Sequence, residues 1–214
     1  VNQVQHLRNE PQLRFKSFSY NYNFTNIGKS TSGVISGRTP NRLDSSIWGG
    51  SIPWITSGDI HQKFITHGQL FLNENAINNL SLHLIPINSV LMGTAGQGKT
   101  RCTVGVNTRE LCTNDAMLSM IPNDDVYYLY LLYLLEGKYQ RLRLLTPQET
   151  KTRLTTNNLK SFKINLPGLK EQKQVANFVF SVEKKISMLE LKLNNLKLFK
   201  KGLYKYIFYN LKSS

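Results

Sequence analysis

The chain has 214 residues and carries 27 Lys and Arg against 13 Asp and Glu, a net charge of +14. That length fits one domain plus an appendage, and the basic excess favours a polyanionic partner, with nucleic acid ahead of a membrane surface. Two cysteines without a CxxC exclude a disulfide scaffold and a cysteine-based metal centre; with no basic-then-apolar leader and no apolar run near the ~18 residues of a membrane span, the expected setting is cytoplasmic.

Residues 1–23 are polar and aromatic without periodicity, and read as a lead-in segment. From 24 to 166 short apolar runs alternate with turn residues. Strands are expected at 52–55, 63–67, 69–72, 89–92, 102–106 and 117–121. Helices are expected at 74–82 and 125–144, the second opened by Asp124 and Asp125 at the positive end of its dipole. The fold class is therefore α+β, a strand-rich globular domain. Pro167-Gly168 punctuates its end.

Residues 167–212 form a different kind of sequence, a long helical spacer and dimerisation region. One ladder of seven-residue steps runs Val175, Val182, Leu189, Leu196, Leu203; a second runs Val179, Ile186, Leu193, Lys200, Ile207. Interleaved four and three apart, they make one narrow stripe, the mark of a coiled-coil seam. A helix over this stretch would be roughly 60 Å long. Lys200 is the one polar rung, of the kind that sets register. Self-association through this seam is expected.

The charge sits late in the chain. Residues 61–135 hold four basic and five acidic side chains, while 136–168 hold seven basic and two acidic. In that second segment Lys138, Arg141, Arg143, Lys151, Arg153, Lys160 and Lys163 are interleaved with Thr, Asn and Gln. Such a mixture supplies charge to phosphates and hydrogen bonds to phosphates or base edges.

Two motifs suggest enzyme chemistry. Residues 93–100, Gly-Thr-Ala-Gly-Gln-Gly-Lys-Thr, match GxxxxGK[ST], in which Lys99 would reach phosphates and Thr100 would hold Mg²⁺. A phosphate-binding loop of that type must open a helix, however, and Arg101-Cys-Thr-Val-Gly-Val is β-branched and interrupted by Gly105. The alternative is a β-hairpin loop whose glycines take positive φ. Pro122-Asn-Asp124-Asp125 with Glu136-Gly-Lys138 imitates the PD-(D/E)xK pattern of metal-dependent nucleases, but the intervening block reads as helix where a nuclease needs a hairpin. The four histidines form no metal spacing, and no GxSxG or S-adenosylmethionine fingerprint occurs. No metal site and no catalytic residue is expected.

Four stretches together resemble one half of the DNA-specificity subunit of a type I restriction–modification system. They are Pro11-Gln-Leu-Arg-Phe-Lys-Ser-Phe; Gly33-Val-Ile-Ser-Gly-Arg-Thr-Pro with Trp48-Gly-Gly-Ser-Ile-Pro-Trp-Ile-Thr-Ser-Gly-Asp-Ile; the glycine loop with Thr113-Asn-Asp-Ala; and Leu166-Pro-Gly-Leu-Lys-Glu-Gln172. Asp115 stands where the family often has Gln, and Gly168 where it has a second Pro. The resemblance implies a target recognition domain at 24–166 followed by a spacer helix, with the first half of a full subunit favoured. It also implies double-stranded DNA, methyltransferase subunits and a restriction subunit as partners. S-adenosylmethionine, ATP and Mg²⁺ would belong to those partners, and this chain would need no cofactor.

The expected DNA contact set is Arg38, Thr39, Lys99, Arg101, Arg141, Arg143, Lys151 and Arg153. Arg38, Lys99 and Arg101 are placed on exposed, glycine-flanked loop tips, and the others in the basic segment.

Overall fold

The computed structural model describes residues 18, 22–96, 98–145 and 153–209. The described chain divides into two compact units between Lys173 and Gln174.

The first unit is built on a five-stranded sheet. Strands β1 (Asn23–Asn26) and β2 (Thr31–Ser36) lead into β3 (Trp48–Ile55), β4 (Phe64–Ile65) and β5 (Leu70–Leu72). Helix α1 (Glu74–Asn79) follows, its N-terminus capped by Asn73, whose side chain accepts from the Ala76 amide at 2.9 Å. Then come β6 (Val90–Gly93), β7 (Val104–Asn107), β8 (Cys112–Thr113) and β9 (Met117–Pro122). The large sheet has the order β2-β9-β6-β7-β4 and the smaller one β5-β3-β8. Register aligns Val34, Met120, Val90 and Val106 in one row across four strands, all buried. The central strands are buried on both faces, so they appear in sequence as continuous apolar runs rather than alternating ones.

Two apolar clusters hold these layers. Ile55, Ile60, Ile65, Ile85, Leu91, Leu111 and Met117 form one; Ile47, Trp54, Leu72, Ala76, Leu82 and Cys112 form the other. The first joins Ile55 of β3 to Ile65, Leu91 and Met117 of the large sheet, so the small sheet is tied to the large one. Both cysteines are buried. Burial pushes the Cys112 thiol up to about 12 and raises that of Cys102 as well. An acid raised in this way stays a neutral thiol well above pH 8. Neither is therefore expected to react with iodoacetamide in the native chain at pH 8, and mass spectrometry should detect adducts only after denaturation.

The expected helix at 125–144 begins later and is broken. Helix α2 spans Tyr128–Gly137 and α3 spans Tyr139–Arg143, with Lys138 between them. The two aspartates do not cap α2. The Tyr127 amide instead donates to the Gln172 side chain at 2.8 Å. Gln172 is buried and also donates to the carbonyls of Asp125 and Pro167, both at 2.9 Å. One side chain thus satisfies three backbone groups, which gives Gln172 a structural role.

Helix α4 (Thr156–Lys160) is capped by Thr155. Strand β10 (Lys163–Leu166) pairs antiparallel with β1, so residues that look like the approach to a break form a strand. Helix α5 (Leu169–Tyr209) has 41 residues and carries the seven-residue repeat. In the second unit Val182, Ile186, Leu189, Leu193, Leu196, Leu203 and Ile207 are all exposed, while Val175 and Val179 are half-buried. At 100° per residue, Phe180, Met188, Leu191 and Leu198 lie on the face opposite that seam, and they too are exposed. No described helix is long and apolar enough to cross a membrane.

Candidate nucleic-acid interface

Strand direction brings the loops of the first unit to one end. The C-termini of β2 and β6 lie beside the N-termini of β7 and β9, because these pairs are antiparallel. The C-termini of β3 and β8 arrive there in parallel, and backbone bonds seal the junction: Asn114 N–H to Ile55 O at 2.9 Å and Arg38 N–H to Thr113 O at 2.9 Å. Residues 37–42, 94–96, 98–103, 114–116 and the segment from 153 therefore share one edge. The last of these joins through Leu154 N–H to Thr94 O at 3.1 Å, and Thr94 N–H to Ala116 O at 2.8 Å.

The first loop is braced by two tryptophans. Trp54, 1% exposed, donates its indole N–H to Arg38 O at 3.2 Å, and Trp48 donates to Asn41 O at the same distance. The rings meet edge to face at 5.4 Å, and Arg42 stacks over Trp54 at 5.3 Å. Arg38 is exposed and its guanidinium reaches Leu80 O at 2.7 Å. Arg42 was absent from the expected set; its signal was its place between the two tryptophans and the Arg38-Thr39-Pro40 turn.

Asp115 joins three of the loops. Thr39 donates to its Oδ1 at 2.5 Å and Arg153 to its Oδ2 at 2.6 Å. The Arg153 hydrogen bond, then that of Thr39, holds the Asp115 carboxyl below the ordinary carboxylate range. The link is therefore intact above pH 4 and lost only as pH falls through the lowered value. All three side chains are exposed, so the pair contributes little to folding, about 0.2–1 kcal/mol. Asp115→Asn is expected to change the unfolding free energy from urea denaturation by no more than that, and to leave it flat between pH 5 and pH 8. A loss above about 2 kcal/mol in chemical denaturation would contradict this assignment.

The glycine motif at 93–100 is a hairpin loop between β6 and β7. Gly96 has φ +107°, and a Cβ on Gly93 would lie 2.5 Å from Thr100 O. No helix follows: Thr100–Thr103 is a tight turn closed by Thr103 N–H to Thr100 O at 3.1 Å, and it runs straight into β7. That removes the helix N-terminus a nucleotide-binding loop needs. The nuclease-like pattern separates as well. Asp124 and Asp125 precede α2 and Glu136 is near its far end, roughly 15 Å along the axis, where it pairs with Lys63 at 3.0 Å. No cluster of three metal-ligating side chains occurs among the described residues.

Of the expected contact residues, Lys99 is exposed on the hairpin loop and Arg143 clasps that loop, donating to Gly98 O at 2.8 Å and Tyr139 Oη at 2.9 Å. Arg153, Thr39 and Arg38 lie on the same edge. Arg141 stacks over Phe162 at 5.8 Å, in the domain's own packing. Lys151 lies outside the described residues. Arg101 corrects the expectation of an exposed tip. It is 6% exposed, because the turn at Thr100–Thr103 folds it inward.

The first unit gathers basic loops at one edge of its sheets, and a long heptad helix follows it. The chain belongs to the type I restriction modification DNA specificity domain family, which it matches over residues 17–198. It is 30% identical over 151 residues to the type I restriction enzyme MjaIX specificity subunit of Methanocaldococcus jannaschii, covering 67% of this chain and 34% of that protein. Its fold is similar to a chain from a type I R-M system studied for complex assembly and conformational transition, with TM-score 0.69, 18% identity and coverage of 89% and 45%. It is also similar to the HsdS subunit from Thermoanaerobacter tengcongensis, with TM-score 0.59, 17% identity and coverage of 82% and 40%. The chain thus spans between a third and a half of the relatives it matches.

Proposed function

We propose that this chain reads one block of a bipartite target in double-stranded DNA, as a recognition part of a type I restriction–modification assembly. The observation that carries the reading is the single edge where Arg38, Thr39, Arg42, Lys99, Arg143 and Arg153 converge. Exposed arginines can read guanine in the major groove, at about 1–3 kcal/mol for each bidentate contact, while lysines hold phosphates.

The chain itself is a reader without catalysis. Methyl transfer, ATP use and cleavage belong to methyltransferase and restriction subunits, which would bring S-adenosylmethionine, ATP and Mg²⁺. The two exposed apolar faces of α5 support this division of labour. The seam suits a second helix, supplied by another copy of this chain or by the remainder of a longer subunit, and the opposite face suits a methyltransferase subunit. Two copies paired antiparallel would specify a palindromic bipartite site with a fixed spacer.

The test is methylome sequencing of cells that express this chain with its methyltransferase subunit. One bipartite motif should become methylated. If no motif appears and the purified complex binds no duplex, the reading fails. Methylation, cleavage or ATP hydrolysis by the chain alone would overturn its non-catalytic part.

A further inference from the structure

Arg101 is 6% exposed, and its Nε has no hydrogen-bond partner. Neither the Lys63–Glu136 nor the Arg153–Asp115 ion pair involves it. A buried guanidinium nitrogen without an acceptor is costly, and an anion held by the other two nitrogens would offset the charge. Its surroundings are cationic. Burial raises the neighbouring Cys102 thiol, and the charges of Arg101 and Arg143 both act against that rise. Arg143 holds Gly98 O, Lys99 is exposed beside it, and His61 Nε2 is 3.3 Å from Thr100 Oγ1. No Asp or Glu occurs between Glu74 and Glu110 in the sequence to neutralise this loop.

We propose that the hairpin loop at 98–101, with Arg101, Lys99 and Arg143, is a phosphate-binding site, and that Arg101 is completed by the phosphate rather than by the protein. As a contact to the DNA backbone the site rests on the reading above and deepens it: this loop would set register on the duplex without reading sequence. A free phosphate compound offers the same chemistry from another source.

The 214-residue chain can be tested as wild type, Arg101→Met, Lys99→Gln and Arg109→Gln. Arg109 follows β7 at the opposite end of the sheet, where it donates to Ser51 O, and serves as control. Affinity for a mixed-sequence duplex is measured from about 50 to about 200 mM salt, where each phosphate contact adds about 0.9 to the slope of log K against log salt. Arg101→Met and Lys99→Gln should each lower the slope by about one, with Arg109→Gln unchanged. Arg101→Met should also melt no lower than wild type, since it removes an uncompensated buried charge. Should that variant fail to fold, exposed Lys99 decides alone.

In a second arm, pyrophosphate or ATP is titrated while melting is followed. Stabilisation of wild type but not of the variants, with duplex slopes unchanged, identifies a free phosphate ligand and keeps the site. Unchanged slopes with no stabilisation by either compound overturn the site. Wild type that is stabilised by pyrophosphate but binds no duplex, even with its methyltransferase subunit, keeps the site and sinks the DNA reading.

Discussion

A Trp54→Ala chain is expected to lose about 3–5 kcal/mol of stability and, where still folded, to bind DNA poorly. Trp54 is almost fully buried in the cluster with Ile47, Leu72, Ala76 and Cys112, so truncation leaves a cavity. A typical domain holds about 5–15 kcal/mol, so this is a large share. The same substitution removes the indole N–H that holds Arg38 O and the ring beneath Arg42, which frees the first recognition loop. Urea denaturation should show a lower midpoint with the slope m unchanged. Trp54→Phe separates the two effects. It keeps most of the packing but loses the N–H, so its stability cost should be smaller and its DNA affinity should still fall. A Phe variant that binds DNA as wild type does would remove the bracing role.

Leu189→Asp combined with Leu196→Asp is expected to abolish association through α5. These leucines are 57% and 56% exposed in the single chain, so pairing would bury that exposed part, a little over half of the about 1.5–3 kcal/mol of a fully buried leucine, or roughly 1 kcal/mol each. Two copies lose four such side chains, and each new carboxylate would have to be desolvated. The sum is roughly 4 kcal/mol or more, about a thousandfold in the dissociation constant. Sedimentation should show a dimeric wild type at tens of micromolar and a monomeric double variant, with the first unit's melting unchanged. A monomeric wild type rules out the homodimer and leaves the seam to the rest of a longer subunit.

Local pattern made α5 legible, because a seven-residue repeat is a property of neighbouring residues on one helix. The same holds for the strands near 52–55, 89–92 and 117–121, whose apolar runs are long enough to identify alone. Strands β1 and β10 were not legible. Each is four residues, and each is stable only by pairing with the other some 140 residues away. The late start of α2 depended on Gln172, 45 residues beyond Tyr127.

Sequence by itself determined the charge excess, the α+β class, the long helix with its seam, and the motifs that carry the family resemblance. It also showed that the glycine motif lacks a following helix. Only the tertiary structure decided what the basic residues do. Arg141 is spent on Phe162, Arg143 on Gly98, Arg153 on Asp115, and Arg101 is folded inward with its Nε unpaired. The reason is physical: the cost or use of a charge depends on its burial and on what lies within a few ångströms. Those neighbours come from distant parts of the chain, where no local pattern reaches.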